Sequence, residues 1–118
     1  MEKRFRLKRR QDFNRVYNRG KSFSNCELVL YVYYNKETKE QRIGISVSKK
    51  VGNAVMRNRI RRLIKEVVSQ LKREFTLKGN LDLIIVARQP AAQMNYQDFR
   101  RSIIDLFNKS SIVVRNNK

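Results

Sequence analysis

Apolar and polar positions change period several times along this chain, and each change marks an element. Between about residues 10 and 18, Phe13, Val16 and Tyr17 recur at helical spacing, and Gly20 stops the pattern. Glu27–Tyr34, ELVLYVYY, is β-branched and aromatic. As a strand it puts Val29, Tyr31 and Tyr33 on one side and Leu28, Leu30, Val32 and Tyr34 on the other. After the polar loop NKETKEQ, Arg42–Ser48 alternates Ile43, Ile45 and Val47, so the two strands are expected to pair as a hairpin. Gly52-Asn53 opens a long helix, about 53–74, with Asn53 as its N-cap. Lys78-Gly79-Asn80 is a loop, Leu81–Ala87 reads as a strand buried on both faces, and Pro90 ends that segment. A last helix, Tyr96–Lys109, lines up Phe99, Ile103, Leu106 and Phe107. With a short extra strand at Lys21–Ser24, the order α-β-β-α-β-α predicts an α/β (α+β) sandwich around a small mixed sheet. Residues 1–118 then form one domain, with a basic arm at about 1–9 and a tail from about 110 that is expected to be mobile.

The long helix carries the strongest signal. At about 100° per residue, Met56, Ile60, Leu63, Ile64, Val67 and Leu71 fall on one stripe. Asn58, Arg61, Arg62 and Lys65 fall opposite, with Arg57 and Arg59 at the borders. From Lys49 to Lys65 there are seven Lys or Arg and no carboxylate. Solvated helices usually mix signs and gain pairs one turn apart, which this ridge does not. A bare charged face in water is the plain alternative, but the density and the interleaved asparagines favour an external polyanion.

Composition supports that reading. A net charge of +18 on 118 residues repels itself, so an anionic partner is implied, while 41% hydrophobic content argues for a folded core. Membrane is disfavoured because no apolar run nears the roughly 18 residues a span requires, and the helix's apolar stripe is needed by the core. The stretch MEKRFRLKRR lacks a signal-peptide pattern, so a cytoplasmic location is expected. Among nucleic acids RNA is favoured over DNA, because the ridge spans two turns and lacks half-site or dimer signals. Arg forks suit phosphate, and Asn both donates and accepts.

Candidate chemistry adds little. Histidine is absent, which removes the usual general base and nucleophile partner, and the ten acids are scattered and read as surface balance. Lone Cys26, before an apolar run, reads as a buried thiol. No catalytic or metal-ligating set is expected in the protein. The aromatics remain: Phe13 alone reads as core, whereas Tyr17 and Tyr31, with polar tips, suit either a core or a wet groove that stacks bases.

The run RIGISVSKKVGNAVMRNRIRRLIKE, with LKRRQDFNRVYNRGKS, LVLYV and LIIVARQPA, strongly resembles the protein subunit of bacterial ribonuclease P over about residues 4–108. The resemblance implies an auxiliary subunit of a ribonucleoprotein endonuclease. In that family a catalytic RNA removes the 5′ leader of precursor tRNA with magnesium ions that the protein alone does not bind. It implies contact with the catalytic RNA through Lys49, Lys50, Asn53, Arg57, Asn58, Arg59, Arg61, Arg62 and Lys65. It also implies a leader cleft at Phe13, Tyr17 and Tyr31, with Tyr17 where Phe is common, and a left-handed βαβ crossover against a chirality rule obeyed in about 98% of cases. DNA and membrane are not expected partners. Two other readings are a structural RNA binder of the ribosomal-protein kind and a protein-only nuclease; the second is disfavoured by the absent His and scattered carboxylates.

Overall fold

The structure, a computed structural model, describes residues 5–117. Helix α1 (Arg10–Arg19) is followed by strands β1 (Lys21–Ser24), β2 (Leu28–Tyr34) and β3 (Arg42–Val47). Then come the long helix α2 (Ala54–Glu74), strands β4 (Phe75–Leu77) and β5 (Leu81–Ala87), a 3-10 turn (Gln89–Gln93), helix α3 (Tyr96–Lys109) and strand β6 (Val113–Asn116). No described helix is long and apolar enough to cross a membrane.

The main sheet has the order β1-β2-β5-β3, with β3 parallel to β5 and the other neighbours antiparallel. The expected β2–β3 hairpin is therefore absent. Leu81–Ala87 takes the place between them, because the strand with apolar side chains on both faces belongs in the middle of a two-sided sheet. Loop 35–41 steps over the start of β5, where Asn80 adopts a left-handed turn conformation at φ 61°. The short strand at Lys21–Ser24 forms as expected and pairs with β2. The C-terminal segment, expected as a tail, instead places Val113–Asn116 against Phe75–Leu77 in a second, two-stranded sheet. Ser110 and Ile112 are buried beneath it. Of the basic arm, residues 1–4 lie outside the described residues. Leu7 is buried, and its N–H donates to Ile43 O at 3.0 Å, so the rest of the arm runs along the free edge of β3.

The sheet's two faces are used differently. Leu28, Leu30, Val32, Leu83, Ile85 and Val47 face α2 and α3 and form the main core with Ile60, Ile64, Val67, Leu71, Phe99 and Phe107. Val68 joins them, adding to the stripe read from the sequence. Asn53 caps α2 as expected, accepting from Met56 N–H at 2.9 Å. Each fully buried aliphatic side chain of α2 stabilises by about 1.5–3 kcal/mol. Two like-charged neighbours one turn apart cost only about 0.2–0.5 kcal/mol. Core packing therefore overrules the ridge's self-repulsion, and α2 forms without help from its charges.

Among the described residues the opposite face carries α1 and the arm, with a small core of Leu7, Val16 and Ile84. Two acids expected at the surface are buried there, Asp82 fully and Asp12 nearly so. Arg42 donates to both Asp82 oxygens, Nε to Oδ1 at 2.9 Å and Nη2 to Oδ2 at 2.8 Å, and Asn35 Nδ2 donates to Oδ2 at 3.0 Å. Arg42 also lies 3.7 Å from Asp12, which holds Arg15 at 3.2 Å. A buried carboxylate is tolerable only when paired and hydrogen-bonded, and that pairing arises from strand register rather than from any local pattern. Cys26, expected buried, is exposed, because the chain turns between β1 and β2 there.

Candidate nucleic-acid interface

Two surfaces bring the sequence-derived candidates together. The first is the outer side of α2. Asn58, Arg59 and Arg62 are exposed, while Arg57, Arg61 and Lys65 are half-buried along its flanks. Lys49 and Lys50 are exposed in the turn that leads into the helix. Among the described residues, none of these seven cations forms an ion pair. Their contacts are neutral: Arg61 Nη1 donates to Asn58 Oδ1 at 3.1 Å, and Arg59 Nη2 reaches Met94 O at 3.5 Å. Arg57 sits lower than the rest, with its Nε buried and unpartnered. Asn53 Oδ1 is used for the cap, which leaves its amide N–H groups as donors.

Asn58, Arg61, Arg62 and Lys65 line a shallow hollow of about 480 Å³ with Val55, an exposed side chain the sequence reading passed over. Arg61 and Lys65 also line a second recess, of about 210 Å³, with Arg6, Lys8, Phe13 and Gly44. This places two arm cations beside the ridge. Nothing in the spacing of residues 6 and 8 predicts it, because it depends on Leu7 pairing with Ile43.

The second surface is the sheet face beside α1. Strand register aligns Ser22, Tyr31, Ile84 and Gly44 in one row and Ser24, Val29, Val86 and Ser46 in the next. A Cβ on Gly44 would lie 2.5 Å from the tip of the Phe13 ring, so the glycine lets that ring rest against the sheet. Phe13 and Tyr17 centroids are 6.3 Å apart, and Tyr17 meets Tyr31 edge-on at 4.9 Å. Phe13 and Tyr31 are half-buried, and Tyr17 is 37% exposed. The rings form a ledge open along the second row. Burial pushes the Tyr17 phenol above its ordinary value, outweighing the lowering effect of a hydrogen bond with Ser46. Tyr17 thus stays neutral at physiological pH and offers a ring without adding negative charge. Ser46, its partner, was not among the expected residues.

These surfaces fit polyanion binding. Asp12 and Asp82 are held by Arg15 and Arg42, and Glu74, Asp98 and Asp105 by Arg100, Arg101 and Lys109. Among the described residues no group of three or more His, Cys, Asp or Glu could hold a metal ion.

A family model for ribonuclease P matches residues 1–111. The chain is similar to the ribonuclease P protein component of Bacillus velezensis, 44% identical over 112 residues that cover 95% of this chain and 94% of that protein. It is 41% identical to the Bacillus cereus AH187 protein of the same name, covering 95% and 96%. In three dimensions it is similar to the Staphylococcus aureus RNase P protein, with a TM-score of 0.83, 39% identity, and 92% and 96% coverage.

Proposed function

Given that the chain belongs to the ribonuclease P protein family and is the protein subunit of that tRNA-processing ribonuclease, we propose a division of labour between its two surfaces. The α2 ridge binds the catalytic RNA, with Arg57, Arg59, Arg61, Arg62, Lys65, Lys49 and Lys50 neutralising phosphates and Asn53 and Asn58 supplying amide contacts. The ring-lined ledge of Phe13, Tyr17 and Tyr31 holds the unpaired 5′ leader of precursor tRNA. Stacking suits that role because every base has a π-face, so leaders of any sequence are accepted at about 1–3 kcal/mol per stacked base. Mature tRNA lacks the leader and loses this binding, which separates substrate from product.

Bond-breaking is assigned to the RNA. Five carboxylates, Asp12, Asp82, Glu74, Asp98 and Asp105, already have arginine or lysine partners, and RNA phosphates supply the hard oxygen ligands that magnesium prefers. The protein's cations lower the repulsion between the two polyanions and so reduce the magnesium needed to bring them together.

The observation that carries this reading is the set of seven cations on α2 and its entry turn that form no ion pair among the described residues, with three aromatic rings gathered on the sheet face beside α1. It is tested by reconstitution with the catalytic RNA and a leader-bearing precursor at low magnesium. Protein plus RNA should release the leader at magnesium concentrations where RNA alone does not, and protein alone should release none. An unchanged magnesium requirement, or cleavage by RNA-free protein, would overturn it.

A further inference from the structure

A third concave surface lies on the far side of α1 from the ring ledge. β1 pairs only with Val29–Val32, so β2 runs on past its neighbour and Tyr33 and Tyr34 project beyond the end of β1. Gly20 lets the chain cross close over β2 at this point, since a Cβ there would lie 2.5 Å from Val16 O and 2.8 Å from Val32 O. That crossing brings Arg19 to the end of β2, beside the two tyrosines. Two hollows of about 320 and 390 Å³ share Arg19, Tyr33 and Tyr34; Lys21 lines one and Lys36 the other.

We propose that this recess is a second binding site for unpaired RNA, with Tyr34 as the stacking ring and Arg19, Lys21 and Lys36 as the phosphate contacts. Tyr34 is 52% exposed. Only four large apolar or aromatic side chains among the described residues are exposed, and two of the others, Tyr17 and Val55, line the surfaces already assigned to RNA. Arg19, Lys21 and Lys36 form no ion pair among the described residues, whereas Arg15 nearby is held by Asp12. Glu37 is the single carboxylate in the lining. An exposed ring bordered by three uncommitted cations matches the stacking-plus-phosphate pattern of sequence-tolerant single-strand binding.

The recess is not an extension of the ledge. At about 100° per residue, Arg15 and Arg19 lie roughly opposite Phe13 and Tyr17 on α1, so the helix separates the two surfaces. A strand held by Tyr34 is distinct from one held by Tyr31. The inference rests on the chain's reading as an RNA-binding subunit, but not on which RNA occupies the ridge.

The test uses the full chain and a photo-crosslinkable uridine oligomer of about ten nucleotides, within the range a single-strand groove accommodates. Crosslinks should map to Tyr33 and Tyr34 as a group separate from Tyr17 and Tyr31. Tyr34→Ala should reduce crosslinking at that group about five-fold or more, the equivalent of one lost stacked base, while Tyr34→Phe should preserve it. Crosslinks confined to the ledge and the ridge would overturn the proposal, as would unchanged crosslinking in Tyr34→Ala or equal competition by an oligoglutamate of the same charge. Failure here leaves leader release by the reconstituted complex intact, whereas failure of the broader reading abolishes that release.

Discussion

Replacing Arg61 by alanine should make the protein more stable and a worse RNA binder at the same time. Arg61 lies one turn from both Arg57 and Lys65, with no carboxylate partner among the described residues to offset either. Each like-charged pair at that spacing costs about 0.2–0.5 kcal/mol, so removing Arg61 relieves about 0.4–1 kcal/mol. The exposed hydrogen bond to Asn58 at 3.1 Å is lost in exchange, at the low end of about 0.5 kcal/mol. Alanine is also the better helix former. The net effect is between zero and a gain of about 0.5 kcal/mol, or up to about 2–4 °C in Tm for a domain of this size. Raising the salt should shrink that gain, because screening weakens the repulsion in the wild type. Binding moves the other way. Losing one phosphate contact should reduce the slope of log affinity against log salt by about 0.7–0.9, so a fourfold rise in salt should weaken the wild type about threefold more than the variant. Thermal unfolding by circular dichroism and filter binding to the catalytic RNA across a salt series measure both quantities. An unchanged salt slope, or a stability loss above about 1 kcal/mol, would refute the account of the ridge as an unpaired, solvent-facing polyanion site.

Gly44→Ala should push the Phe13 ring off the sheet, costing about 1–3 kcal/mol by overpacking and weakening leader binding; an unchanged Tm would show that the ring does not rest there. Asp82→Ala should leave Arg42 and Asn35 without their shared acceptor and cost about 3 kcal/mol in urea unfolding, the low end for breaking a buried pair because the Arg42 side chain keeps 25% exposure. A loss below about 1 kcal/mol would deny the cluster a structural role. Asp98 is held below the usual carboxylate range by the Asn95 backbone hydrogen bond, then by Arg101. Its contribution to stability should be complete above its ordinary pKa, near 4, and disappear as pH falls through the lowered value. The difference in Tm between wild type and Asp98→Asn should therefore vanish in acid, and a difference independent of pH would contradict the assignment.

Much of this architecture was legible in the sequence where periodicity is strong. The 3.6-residue stripe of α2 and the Asn53 cap fix that helix, and the alternation in β2 assigns Tyr31 and Leu30 to opposite faces. Strand neighbours were not legible. An unbroken apolar run such as LDLIIVA says that a strand is buried but not beside which partners, so sequence proximity wrongly favoured joining β2 to β3. The short strands β4 and β6 have no measurable period, and charges such as Arg42 and Asp82 look like surface until register aligns them. The ridge announced itself through charge density. Arg6, Lys8 and Ser46 did not, since each joins its site through pairing between distant segments.

The central claim is that two surfaces grip two different RNAs, and Tyr31→Ala tests it most directly. In the reconstituted complex, the dissociation constants of precursor tRNA with and without its leader should be measured alongside that of the protein for the catalytic RNA. The account predicts at least a five-fold loss for the leader-bearing substrate, from one stacked base, and no change in the other two constants. Equal losses for leader-bearing and leaderless tRNA, or a loss of affinity for the catalytic RNA, would contradict it.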